Sequence, residues 1–262
     1  MIVAGIDIGA KFAKIVFLQD DEVLYRAKGI VGFDVNKSAT SIFQTALKKC
    51  NLQPNDIART VATGMGKGEI LQKEPIKASQ AVSEVVADAT GAWHLRQTAR
   101  TVIDVGAEEG RGIKVTEDGK VKDFVINERC AAGAGTFVET MARALEVTVE
   151  DMGPLSLKST KAVPMNAQCT VFAESEVVSL IHSRVAKEDI ARAIHDAMAG
   201  RIASMVLRVG VEKDIVLVGG VALNQGFVKP LQDELNTEII IPEFPEFTGA
   251  FGSAVIAKEK SQ

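Results

Sequence analysis

A single internal repeat limits this chain more than any other feature. Residues 5–9 read "GIDIG" and residues 102–106 read "VIDVG", and both place Asp-(Ile/Val)-Gly at the end of a hydrophobic strand. A turn and two further β-rich stretches follow each copy: "AKIVFLQD" and "DEVLYRAKGIV" after the first, "IKVTEDG" and "KVKDFVI" after the second. A duplicated strand–turn–strand–strand unit predicts two related lobes, and a repeat of this kind outweighs any single motif. We place the lobes at residues 1–98 and 99–262, with the last helix able to pack back on the first lobe. No Pro/Gly/Ser-rich linker separates them, so they are expected to face each other across a cleft.

Between the repeats the periodicity predicts a helix over 38–50, a strand at "IARTVATGMG" ending in a glycine turn, and a helix over 78–94. The second half predicts helices near 133–147, 171–184 and 187–209. The strands "DIVLVGGVALN" and "TEIIIP" and a final helix near 249–259 complete the chain. Apolar residues form 47% and charged residues 24% of the 262, a globular balance rather than a disordered one. A net charge of −4 argues against nucleic acid as the main partner. The opening "MIVAGIDIGA" lacks the basic start of a secretory signal, and the apolar runs are too short to span a bilayer. Three cysteines fit a cytoplasmic protein with thiols or a metal site better than a disulfide framework.

A lone Asp-x-Gly can simply end a turn; two at matching places in a repeat point to chemistry. An aspartate from each lobe can hold a hydrated Mg²⁺, which takes hard oxygen ligands and keeps several waters. Asp7 and Asp104 are the candidates. The glycine after each lets backbone N–H groups approach phosphates. Gly9, Ala10 and Lys11, with Lys14 beyond, and then Gly106, would line two phosphate-binding turns. Gly219, Gly220 and Ala222 in "VLVGGVALN" would put bare backbone beside a flat ligand such as adenosine, although a tight structural turn also uses Gly-Gly.

With the closing "TGAFGSA" helix, these pieces resemble the actin-like ATPase superfamily over almost the whole chain. The resemblance implies an α/β fold of two lobes, each with a mixed five-stranded sheet of ribonuclease-H type, and a nucleotide cleft between them. A simple sugar or acyl kinase, or a filament-forming protein, belongs to the same superfamily. A chain of 262 residues leaves little room for the extra subdomains that such filaments use, and the classical sugar kinases do not need two further segments, "NERCAAGAGTFVETMARALE" and "NAQCTVFAESEVVSLIHSR", each with a cysteine just ahead of a helix. A free cysteine is commonly a buried core residue. At a helix N-terminus, however, a thiolate is stabilised, as an anionic iron–sulfur cluster would be.

"CAAGAGTF" and "CTVFAESEV", so spaced in a small actin-like ATPase, resemble the BadF/BadG/BcrA/BcrD family, the activators of 2-hydroxyacyl-CoA dehydratases and ATPase subunits of benzoyl-CoA reductase. The resemblance implies that Cys130 and Cys169 ligate a [4Fe–4S] cluster bridging two subunits, either a copy of this chain or a related A-type subunit. It also brings Gly133, Ala134 and Gly135 to the nucleotide. ATP hydrolysis would drive a low-potential electron from a ferredoxin-like donor into a partner component holding a CoA ester. Where activators usually carry "GGQD" after the second aspartate, this chain reads "DVGAEEGRGIKV": Ala107 replaces a glycine, Glu108 replaces the glutamine, and the turn reads as longer. Glu108 could serve as general base or leave a weaker hydrolase. "GAEEGR" and "MNAQCTVFAESEVVSLIH" look closest to the D-type subunit of benzoyl-CoA reductase. That makes an ATP-dependent, dearomatising benzoyl-CoA reductase subunit the leading expectation and a dehydratase activator the alternative. Cys50, His94, His182 and His195 have no ligand spacing.

Overall fold

The alternation in the opening repeat is carried into a computed structural model that describes residues 1–127, 134–165 and 169–261. In chain order its first elements are β1 (Ile2–Ile8), β2 (Phe12–Gln19), β3 (Glu22–Ile30), α1 (Val35–Lys49), β4 (Ile57–Thr63), β5 (Gln80–Ala81) and α2 (Glu84–Leu95). The repeat then gives β6 (Thr101–Val105), β7 (Gly110–Val115) and β8 (Val121–Ile126). Helices α3 (Gly135–Ala144), α4 (Val149–Ser156), α5 (Thr170–His182) and α6 (Lys187–Val206) come next. Strand β9 (Ile215–Val218) and helices α7 (Gln225–Leu235) and α8 (Thr248–Glu259) close the chain. Packing divides it into two units, residues 1–102, 115–122 and 246–262, and residues 103–114 and 123–245.

In the first unit the five strands run in the order β3-β2-β1-β4-β5, antiparallel across β3, β2 and β1 and parallel across β1, β4 and β5. The two-residue period of β1 explains its two buried faces. Ala4, Ile6 and Ile8 pack with Phe43, Ala46 and Leu47 of α1, whereas Val3 packs with Ala250 and Ala254 of α8. Gly5 shares the α8 face, and a Cβ there would strike the Ala250 carbonyl and the Ala254 nitrogen. Gly252 on α8 meets the Ala87 carbonyl of α2 in the same way. The closing helix is therefore seated backbone to backbone on both its neighbours.

The second sheet runs β8-β7-β6-β9, the order of the first sheet's β3-β2-β1-β4. Helices α3 to α6 lie between β8 and β9, where the first unit has α1 alone. Their apolar faces, with Ile103, Val105, Ile215 and Leu217, form the second core. The predicted fifth strand, "TEIIIP", does not form. Ile240 alone bridges Val216, its N–H donating to Ile215 and its carbonyl accepting from Leu217. Pro242 and Pro245 follow and cannot extend a ladder.

The helix predicted over 78–94 starts later, because Gln80–Ala81 pairs with β4 and Ser83 then caps α2 by accepting from the Val86 N–H. The predicted 187–209 helix ends at Val206, with a 3₁₀ turn over Leu207–Val209 and Gly210 at a φ of 77°. Helix α4 was not anticipated. Its signal was Thr148 three residues before Asp151, which cap each other, masked by Pro154 inside the helix. Among the described residues, no helix is long and apolar enough to cross a membrane.

Candidate functional site

Asp7 stands at the end of β1, directly across the β1–β2 register from Lys14, whose Nζ is 2.8 Å from Asp7 Oδ2. The hairpin between them closes with the Gly9 N–H donating to the Phe12 carbonyl at 3.1 Å. Ala10 at its tip is exposed, and the Lys11 and Lys28 ammonium groups lie 5.6 Å and 4.6 Å from the Phe12 ring centre. Beyond β4, Gly64 adopts a φ of 88°, and a Cβ there would come within 2.6 Å of Asp7 Oδ1. Only glycine takes this conformation readily, and only glycine leaves the carboxylate in place.

The second unit repeats the arrangement. Asp104 ends β6, and Arg111 Nη1 on β7 donates to its Oδ2 at 2.5 Å. The Gly106 N–H donates to the Glu109 carbonyl at 2.9 Å, so this hairpin has the same length as the first and is not the longer turn expected. Gly219, after β9, has a φ of 86°, and a Cβ there would collide with Asp104 Oδ1. Each aspartate is thus flanked by a basic residue on the next strand and a left-handed glycine after the fourth. Arg111 also donates through Nη2 to Glu109 Oε2 at 2.5 Å, which leaves Glu108 as the exposed carboxylate at the tip.

Gly64, Glu109 and Arg111 escaped the sequence reading. Arg111 had a legible signal, because it occupies in the second repeat the place of Lys14 in the first. Gly220 is exposed with open space where a Cβ would stand, whereas Ala222 is fully buried in the second core.

The start of α3 is tied to the Gly106 turn. The Gly135 N–H donates to the Gly106 carbonyl and the Thr136 N–H to the Ala107 carbonyl, each at 2.9 Å. Ala134 is the buried N-cap residue of that helix. Cys130 and Gly133 lie outside the described residues. Cys169 is a free, exposed thiol at the N-cap of α5, and Val171 and Phe172 in the first turn of that helix are also exposed. The segment before it is anchored by Asp189, whose carboxylate accepts from the Ser159 hydroxyl at 2.8 Å and the Thr160 and Lys161 N–H groups at 3.0 Å. These bonds, Ser159 foremost, hold the Asp189 carboxyl below its usual range. Cys50 is half-buried, and burial pushes its thiol up.

His195, on α6, is fully buried. Burial pushes it down from 6.5 to about 4, only partly opposed by the Ala191 carbonyl one turn back. Between those values the unfolded chain binds a proton that the folded chain refuses, so stability falls as pH falls through the window. The expected loss approaches about 3 kcal/mol by about pH 4. Denaturant melts across the window should show a shallower decline for His195→Gln than for the parent, since carboxylates contribute equally to both.

The two mixed sheets and the paired Asp-x-Gly hairpins define an actin-like ATPase fold. A glucokinase of the ROK family from Streptomyces griseus shares that fold at a TM-score of 0.62 and 11% identity, covering 99% of this chain and 100% of its own. Sequence narrows the class: residues 4–257 match the BadF/BadG/BcrA/BcrD ATPase family, and the chain belongs to that family. The activator of lactoyl-CoA dehydratase from Anaerotignum propionicum is 36% identical, covering 100% of this chain and 99% of its own length. The crystal structure of component A of (R)-2-hydroxyglutaryl-CoA dehydratase from Acidaminococcus fermentans superposes at a TM-score of 0.95 with 36% identity, over 100% and 99% of the two chains. The D-type subunit of benzoyl-CoA reductase from Thauera aromatica is 30% identical, covering 97% of this chain and 92% of its own length. The D-type expectation rested on a few local segments, "GAEEGR" and "MNAQCTVFAESEVVSLIH" among them, whereas likeness over the whole chain is greater to the dehydratase activators.

Proposed function

We propose that this chain is an ATP-hydrolysing electron donor that activates a 2-hydroxyacyl-CoA dehydratase. Full-length likeness to two such proteins, greater than to the benzoyl-CoA reductase subunit, carries the reading. Asp7 and Asp104 supply the hard oxygens that Mg²⁺ prefers, and the Gly9–Lys11 and Gly106 turns with Lys14 receive the phosphates of ATP. The segment from Gly219 to Ala222 lies at the adenosine end. Glu108, exposed while Arg111 occupies Glu109, takes the proton of the water that attacks the γ-phosphate, giving ADP and phosphate.

Cys169 fits a cluster ligand in being exposed, free and at a helix N-terminus, which favours a thiolate. With Cys130 it would supply two of the four thiolates of a [4Fe–4S] cluster shared by two subunits, which adds one-electron redox chemistry when bound. The chain's own contribution is mechanical. The Gly106 turn holds the first residues of α3, and α3 packs on α5, so a shift of the turn on phosphate release displaces both helices. The electron donor would be a ferredoxin-like protein and the acceptor the dehydratase component.

Protein purified without oxygen is expected to hold about two irons per chain. It should activate a 2-hydroxyacyl-CoA dehydratase component only with ATP and a one-electron donor. Activation of a benzoyl-CoA reductase component instead would overturn the assignment. Cys169→Ser should bring iron content to near zero while ADP affinity stays within about twofold, read by iron assay and calorimetry on the same sample; retained iron would remove Cys169 from the ligand set.

A further inference from the structure

The turn after β9 is held from behind by a buried histidine that the proposed chemistry does not use. His195 Nε2 lies 2.9 Å from Asn224 Nδ2, and Asn224 Oδ1 accepts from the Gly226 N–H at 3.0 Å. That second bond fixes the amide: Nδ2 faces the ring, and an amide nitrogen only donates, so Nε2 accepts. The ring is therefore neutral, with its proton on Nδ1. Asn224 in turn closes the segment ahead of it, its N–H donating to the Val221 carbonyl at 2.9 Å, and it caps α7.

The surroundings leave no slack. A Cβ on Gly153 would come within 2.6 Å of Asn224 Oδ1, and a Cβ on Gly226 within 3.0 Å of His195 Cε1 and 2.5 Å of Ser156 Oγ. Glycines at these two places let α4 and α7 close around the pair. The Asn224 amide thus has one orientation, with the Gly226 N–H at its oxygen and the His195 acceptor at its nitrogen.

We infer that His195 is a positioning residue for nucleotide binding: as a neutral acceptor it locks Asn224 and thereby the Gly219–Asn224 segment that takes the adenosine end of ATP. The inference rests on the ATP reading above. It predicts an effect on binding with the cleavage step little changed, because Asn224 closes on the Val221 carbonyl, whereas Gly219, the residue of the segment that meets Asp104, is held separately by donating its N–H to the Pro245 carbonyl. A histidine that only fills space would behave otherwise, since leucine fills similar space without accepting.

The test measures ADP affinity by calorimetry and steady-state ATP hydrolysis on the full chain. His195→Leu should weaken ADP and raise the KM for ATP about tenfold, the effect of leaving one buried donor unpaired, with kcat within about twofold. His195→Gln, which returns an acceptor near the Nε2 position, should recover most of that affinity. Asn224→Ala should show the same loss as His195→Leu, and the double variant should add little to either. Wild-type affinity in folded His195→Leu overturns the inference. So does equal loss in the leucine and glutamine variants, which would mark a space-filling role. If His195→Leu does not fold, the glutamine and Asn224→Ala variants decide, because wild-type affinity in Asn224→Ala also overturns it. A parent chain that binds no ADP overturns the ATP reading itself, and the positioning role with it.

Discussion

Asp104→Asn is expected to lower ATP hydrolysis by about 10²- to 10³-fold, the order of loss seen when one preorganised electrostatic group is removed from a reaction centre. Asparagine keeps the shape of the side chain and an oxygen that can accept from Arg111, so the hairpin should survive. What disappears is the negative charge that would hold Mg²⁺. The guanidinium retains Glu109 as its partner, and its side chain is only 6% exposed, so some stability will be lost with the Asp104 charge. The two effects separate in measurement, because stability is read by thermal melting without nucleotide and catalysis by kcat at saturating ATP and Mg²⁺. Hydrolysis within threefold of the parent, in a protein that melts normally, would exclude Asp104 from the reaction. Asp7→Asn should act in the same direction, since Lys14 pairs with Asp7 as Arg111 does with Asp104.

The largest expected loss of stability comes from the seat of α8. Gly5→Ala and Gly252→Ala each force a methyl group into backbone atoms, the Ala250 carbonyl in one case and the Ala87 carbonyl in the other. A side chain can change rotamer to make room, but a helix or strand backbone must move as a body. Overpacking a core typically costs 1–3 kcal/mol, and each substitution should reach about 3 kcal/mol. Once α8 has been lifted from β1 it no longer presses fully on α2, so the double variant should lose less than the sum. Denaturant midpoints of the two single variants and the double test this. A loss below about 1 kcal/mol in either single variant would mean that α8 can slide at little cost.

Much of this was legible because the signals were local. An aspartate and a glycine two residues apart at a strand end are read from one window, and so are the cysteine ahead of α5 and the Gly219–Gly220 turn. Gly64 was hidden for the opposite reason. Its partner, Asp7, is far away in sequence, and only the parallel pairing of β1 with β4 brings them together. Arg111 was missed although the repeat pointed to it, because lysine and arginine at matching places do not look like one motif until their strands are paired. The fifth strand of the second sheet failed because "TEIIIP" has the right composition but sits between a helix end at Asn236 and two prolines. Composition alone could not show that only one of its residues would pair.

The hydrogen bonds that join the Gly106 turn to α3 are made by main-chain atoms on both sides. A joint of that kind is indifferent to what the side chains say. Ala107 and Glu108 can change without breaking the linkage, whereas Gly135 is confined because a Cβ would sit 3.2 Å from the Gly106 carbonyl. Related proteins could therefore retune how fast the nucleotide is cleaved while inheriting the same transmission unchanged.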